Sequence, residues 1–264
     1  MEMRGMMGGF YRLSEWVMRL SVTNILWLVT SLPFWYITLV TFRGMQLTET
    51  NEELLATFQS GVIILAVISP FTLFPATSAM FSVARKWVLG DTDVPLFKTF
   101  FRNYKQNYVQ AMIGGIFYAL LFAIMIIDYR VYLNQIEGFG FVAYLFIFLM
   151  ALLLISMLHF FSLLSHFHMK TFQLLKNALI LTIGRPLRSI MMAIGTAAVL
   201  YLSIKWTFLI PFFFGSIIAV YTFYNFNLIM QKMMTLKESL EAAETEQSED
   251  SEDSEDNKED GKQA

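Results

Sequence analysis

Six stretches of this chain are long and apolar enough to cross a hydrocarbon core about 30 Å thick, which takes roughly 20 helical residues. They run approximately over residues 20–42, 61–84, 109–127, 142–164, 189–204 and 206–227. Inside hydrocarbon every backbone N–H and C=O must be satisfied within the segment, so each stretch is predicted to be helical. The expected fold class is therefore all-α, a polytopic membrane protein with six transmembrane helices plus short amphipathic cytoplasmic helices. Composition points the same way. Hydrophobic residues make up 56% of the 264 positions and charged ones only 15%, too little polar surface to coat a soluble globule.

The basic residues alternate along the chain as a membrane topology requires. The segment before the first span carries Arg4, Arg12 and Arg19, and the loop after the second carries Arg85, Lys86, Lys98, Arg102 and Lys105. Lys170, Lys176, Arg185 and Arg188 follow the fourth span, and Lys232, Lys237, Lys258 and Lys262 follow the sixth. Each remaining loop has a single base, Arg43, Arg130 or Lys205. Because Lys and Arg collect on the cytoplasmic side, both termini are expected there. The first 19 residues hold three arginines and no separate apolar core, so the first span is expected to serve as an uncleaved anchor.

The net charge of -2 conceals a division, since 12 of the 21 acids lie in residues 238–264. That tail, with three Ser-Glu-Asp triplets at 248–256, has little to bury and is predicted to be disordered, with Ser248, Ser251 and Ser254 as candidate phosphorylation sites. The rest of the chain is basic, which an anionic leaflet explains without nucleic acid. No cysteine is present, which excludes disulfides, thiolate catalysis and thiolate metal sites.

Pro70 and Pro75 fall inside the second stretch. A kinked but complete helix is expected there, with a re-entrant loop as the rival that would place the five-base loop outside. The hydroxyls of Ser69, Thr72, Thr77 and Ser78 gather around these prolines. They are expected to repair the hydrogen bonds that proline removes. A broken helix at this depth is also where transporters place solutes, so Ser69, Pro70, Thr72, Pro75, Thr77 and Ser78 form a candidate solute site. Pro33 and Pro211 supply weaker breaks, and Gly114, Gly115, Gly195, Ala197 and Ala198 read as sites of close helix packing.

Three segments on the cytoplasmic side have amphipathic spacing. Phe10, Leu13, Trp16, Val17 and Leu20 form an apolar stripe in residues 1–19, suited to a helix lying in the interface. Beyond Trp87, Thr92 or Asp93 is placed to cap a helix with Pro95 in its first turn. On that helix Phe97, Phe101, Tyr104 and Tyr108 are expected along one side with Lys98, Arg102 and Lys105 interleaved. A third helix is predicted from Lys170 to Ile183, stopped by Gly184 and Pro186. These surfaces anchor to headgroups or dock a partner. Phe97, Lys98, Phe101, Arg102, Tyr104 and Lys105 are the candidate docking residues.

Catalytic patterns are not found. His159, His166 and His168 cluster in HFFSLLSHFH without a carboxylate and without zinc-ligand spacing, and no phosphate loop or G-x-S-x-G elbow occurs. No enzymatic activity, metal or cofactor is expected. Intramembrane ionisable residues are nearly absent, and residues 1–127 do not repeat in 142–227, which disfavours a coupled transporter.

Three runs carry a resemblance. GGFYRLSEWVMRLSVTNILWLV, FPATSAMFSVARKWVLGDTDVPLFKTFFRNYKQNYVQA and HFHMKTFQLLKNALILTIGRPLRSIMM resemble the YesL-like family of bacterial integral membrane proteins, a domain of unknown function. The middle run is the most specific, through F-P-A-T-x-A-x-F, R-K-W and D-x-P-x-F-K-T-F. Members are often encoded beside sugar-uptake transporters, sensor kinase pairs or carbohydrate-degrading enzymes. The resemblance thus implies an accessory role in carbohydrate uptake or sensing, with a sugar transporter or sensor kinase subunit as partner besides the lipid bilayer. The chain lacks the E-A-A-x3-G signature of permease subunits. The alternative is an oligosaccharide transporter using the broken second helix.

Overall fold

The computed structural model describes residues 6–134 and 140–260, with side chains over 9–133 and 140–242. Arg4, Lys262 and the side chains of Ser248, Ser251 and Ser254 lie outside the described residues. Among the described residues the chain is all-α, with ten helices. They are α1 (Met6–Thr30), α2 (Leu32–Gln46), α3 (Asn51–Ile68), α4 (Leu73–Val88), α5 (Leu96–Asn134), α6 (Gly140–His166), α7 (Thr171–Gly184), α8 (Pro186–Lys205), α9 (Leu209–Phe212) and α10 (Phe214–Asp260). Contacts divide the chain into Met1–Asn225 and Phe226–Ala264.

The chain has the all-α, polytopic character expected, and among the described residues four or five helices are candidate spans by length and composition, slightly fewer than six. Four described helices are long and apolar enough to cross, namely α3, α5, α6 and α8, and the bent pair α1 and α2 makes a fifth if taken as one span. The first expected span, 20–42, is broken by a 78° bend between Gly9–Thr30 and Leu32–Gln46. Local chemistry makes the break. Ser31 leaves helical geometry at ψ 20°, its hydroxyl donates to Trp27 O (2.5 Å), and Pro33 follows without an N–H. Of the amphipathic segment expected over 1–19, the described residues from Met6 onward form the first part of α1, continuous with the apolar residues after them.

The second expected span, 61–84, is not one kinked helix but the end of α3 and most of α4. Helix α3 begins at Asn51, where Thr50 accepts from Glu53 N–H (3.2 Å) and Glu52 and Glu53 face the positive end of the helix dipole. It ends at Ile68 before Pro70. Helix α4 then starts afresh at Leu73, so Pro75 stands in its first turn rather than mid-helix. There its missing N–H costs no intrahelical bond.

Helix α4 is the buried centre of the first unit, packed on α1, α5 and α6. Ala76, Ala79 and Ala84 are buried together with Phe74, Phe81 and Trp87, because small residues bring neighbouring backbones close enough for the large ones to interlock. Phe161 of α6 meets Phe74 (5.2 Å between ring centroids) and Phe81 (5.5 Å). Helix α4 closes with Gly90 at φ 95°, its N–H on Trp87 O (3.1 Å) and Asp91 N–H on Lys86 O (2.9 Å). This is a Schellman ending, which favours glycine at the left-handed position.

The third and fourth expected spans lie inside α5 and α6, and the fifth is α8. The sixth, 206–227, is interrupted by α9 and a break at Phe213 before α10. In the second unit, α10 runs on to Asp260 where disorder was expected from Glu238. Glu, Lys, Ala and Gln are good helix formers, and Lys237 pairs with Glu241 one turn on (3.2 Å). Residues 231–242 are exposed, so this helix rests on local propensity.

Candidate functional site: a docking face and three packed helix breaks

Helix α5 has 39 residues, and at 1.5 Å per residue it is about 58 Å long, far more than the core of a bilayer. Its bases Lys98, Arg102 and Lys105 lie in the first three turns, so that end stands beyond the hydrocarbon while the apolar stretch from Val109 to Ile127 crosses it. The helix starts at Leu96, with Thr99 N–H bonded to Pro95 O (2.9 Å). Pro95 thus precedes the helix rather than opening its first turn. Thr92 and Asp93 lie before it, and neither side chain makes a capping bond among the described residues.

The aromatic side expected on this segment divides in two. Phe97 (62% exposed) and Phe101 (41%) face outward with Lys98, Arg102 and Lys105. Phe100 is fully buried, and Phe100, Tyr104 and Tyr108 form a ladder of rings at 6.5 and 5.7 Å along the inward side. Tyr104 therefore belongs to the packed side and only half reaches the surface. Among the described residues no carboxylate pairs with Lys98, Arg102 or Lys105.

This exposed face is continuous with the third predicted segment. Stepping by four residues from Lys98 and Arg102 leads to Gln106 and Gln110 on the same stripe of α5. Gln106 Nε2 lies 3.4 Å from His168 Nε2, and Gln110 Nε2 donates to Met169 O (2.8 Å). Helix α7 begins at Thr171, close to the predicted Lys170, and exposes Phe172 and Lys176. Two segments about 70 residues apart in sequence thus form one aromatic and cationic surface.

The break near Pro70 is packed rather than open. Ser69 Oγ donates to Ala66 O (3.3 Å), the carbonyl that Pro70 cannot serve, and Thr72 Oγ1 donates to Ile68 O (3.0 Å). Thr77 Oγ1 donates to Leu73 O (2.7 Å) and accepts from Trp27 Nε1 (3.0 Å), while Tyr108 donates its hydroxyl to Phe71 O (3.1 Å). Of the hydroxyls read as a candidate solute site, only Ser78 Oγ is buried without a partner. Gly115 of α5 lies so close that a Cβ there would stand 2.8 Å from Pro70 Cα. Three of the four hydroxyls, those of Ser69, Thr72 and Thr77, are committed to the backbone.

A residue that the sequence reading overlooked governs the last break. Asn24 of α1 is fully buried, and its Nδ2 donates to Ile210 O (2.9 Å) and Pro211 O (2.7 Å). Its Oδ1 accepts from Gly215 N–H (2.8 Å) and Ser216 N–H (3.2 Å). One amide therefore satisfies backbone groups on both sides of the interruption between α9 and α10. The available signal was an amide inside an apolar run, SVTNILWLV, beside a proline-bearing segment. The three histidines part company: His159 Nε2 meets Ser189 Oγ (3.1 Å), His166 lies edge-on to Phe167 (4.6 Å), and His168 reaches Gln106.

Comparison with known proteins places the chain. The sequence model of a family described as "Protein of unknown function, DUF624" matches residues 20–129. A Bacillus subtilis (strain 168) protein, "Uncharacterized protein YteU", is 30% identical over 83% of this chain and 84% of its own length. The chain belongs to the DUF624 family, the YesL-like proteins. From the same organism, "Uncharacterized protein YesL" is 27% identical over 80% of this chain and 85% of its own length. "Uncharacterized protein YesV" is 30% identical over 58% and 76%. No solved structure matches. In this DUF624 protein the matched region contains Asn24, both prolines of the second break and the exposed face of α5, whereas α7 lies beyond it.

Proposed function

We propose that this chain is a non-enzymatic accessory protein of a bacterial cell membrane, docking a protein partner on the face shared by α5 and α7. The observation that supports it is the pairing of exposed Phe97 and Phe101 with Lys98, Arg102 and Lys105, none matched by a carboxylate among the described residues. Exposed aromatics ringed by unpaired cations suit an interface in which the rings fill pockets and the charges set orientation. On this reading both termini and the docking face are cytoplasmic. Its link to carbohydrate uptake or sensing, through a sugar transporter or sensor kinase subunit, is supported by the resemblance to YesL-like proteins. An oligosaccharide transporter draws little support from the second break, where three of the four hydroxyls serve the backbone.

A photoreactive residue in place of Phe101, crosslinked in native membranes and read by mass spectrometry, tests the proposal. One recurring protein partner is expected, lost when Lys98, Arg102 and Lys105 are all changed to Gln while membrane insertion persists. Recovery of lipid or self contacts alone would sink it.

A further inference from the structure

A second surface lies at the start of α1, away from the docking face, and does not depend on it. A cleft of about 360 Å³ opens there, lined by Trp16 and Leu20 of α1, Val88 of α4, and Ile217, Val220, Tyr221 and Tyr224 of α10. Almost no polar atom faces it. Its walls are held from behind. Trp16 stands edge-on to Trp87 (5.7 Å) with the Arg19 guanidinium over its ring (5.9 Å). The Tyr221 ring, itself part of the wall, is drawn over Gly195, and its hydroxyl donates to Met191 O (2.8 Å), so this wall is tied to α8.

The surrounding charges decide the occupant. Arg19 is taken by Glu15, and Lys86 by Asp91 (3.1 Å). Arg12 is exposed and makes no ion pair among the described residues. It lies four residues before Trp16 and eight before Leu20, on the stripe of α1 that forms the cleft wall. An apolar cleft beside a cation that is unpaired among the described residues and shares the lining stripe of α1, next to tryptophans of the kind that favour the interface, complements a hydrocarbon chain ending in an anion. We propose that this cleft seats one acyl chain of an anionic phospholipid from the surrounding bilayer, with the lipid phosphate against Arg12.

Native mass spectrometry of the full chain in mild detergent tests it, with phosphatidylglycerol and phosphatidylcholine of identical chains as probes. One retained phosphatidylglycerol is expected, favoured over phosphatidylcholine roughly fivefold, the effect of one base near an anionic headgroup. Arg12→Gln should abolish that preference. Val220→Trp, which fills the cleft, should remove the retained lipid while circular dichroism stays native. Should Val220→Trp fail to fold, phosphatidylglycerol with brominated chains must quench the wild type more than Trp16→Phe. Equal retention of both lipids, no retained lipid, a preference that survives Arg12→Gln, or equal quenching in wild type and Trp16→Phe would overturn the assignment.

Discussion

Asn24 uses all of its amide hydrogen-bonding capacity on backbone groups of one helix break. Asn24→Ala would leave the Gly215 and Ser216 N–H groups and the Ile210 and Pro211 carbonyls without it. Each buried orphan costs about 1–3 kcal/mol, so a loss on the order of 3 kcal/mol or more is expected, read as a lowered Tm in detergent. Tyr108 makes a smaller contribution. Its hydroxyl serves one carbonyl, Phe71 O, at a partly exposed position, so Tyr108→Phe should cost about 1 kcal/mol by the same measurement. A loss as large as that for Asn24 would show that the α5 contact controls the break. Neither role was legible from the sequence. The donor is easily seen in both residues, but the acceptors lie 37 residues away for Tyr108 and 186 for Asn24.

At the scale of helices, sequence and structure agree where a run is long and unbroken. Segments 109–127, 142–164 and 189–204 lie inside α5, α6 and α8, because a continuous apolar stretch has only helix available in hydrocarbon. They part company at the prolines. Pro70 ended one helix and Pro75 opened the next, since the chain between them turns to place α4 in the protein interior. Hydropathy did not separate α4 from a lipid-facing span, because burial against protein and burial in lipid select the same residue types. Helix packing supplies two further tests. Gly195 lies under the Tyr221 ring, so Gly195→Ala should cost about 1–3 kcal/mol through overpacking, seen as reduced thermal stability. Gly90→Ala should cost about 1–2 kcal/mol, since a side chain there is forced into left-handed geometry; an unchanged Tm would mean that the α4 ending relaxes freely.

For the molecule as a whole, the first unit holds most of the buried core residues, and the second holds buried Phe226 and Ile229 and the exposed stretch of α10 from Gln231. A chain ending at Lys237 should keep its stability, read from Tm, within about 0.5 kcal/mol of the full chain, because residues 238–242 are exposed and exposed residues away from packed features contribute little. The Lys237–Glu241 pair lost in that truncation is worth only about 0.3–0.5 kcal/mol.

The sequence by itself determined that the chain is all-helical, that a bilayer is its solvent, and that aromatic and basic residues concentrate in Leu96 to Tyr108. Those properties follow from local composition and from the need to satisfy each backbone within its own segment. Tertiary structure alone decided where the chain breaks at Ser31 and Pro70, that α4 is a core helix, and that Tyr104 turns inward while Phe97 and Phe101 stay out. It also decided that α5 and α7 share one face. These outcomes depend on which distant surface meets each helix, and a one-dimensional pattern of polarity carries no record of that pairing.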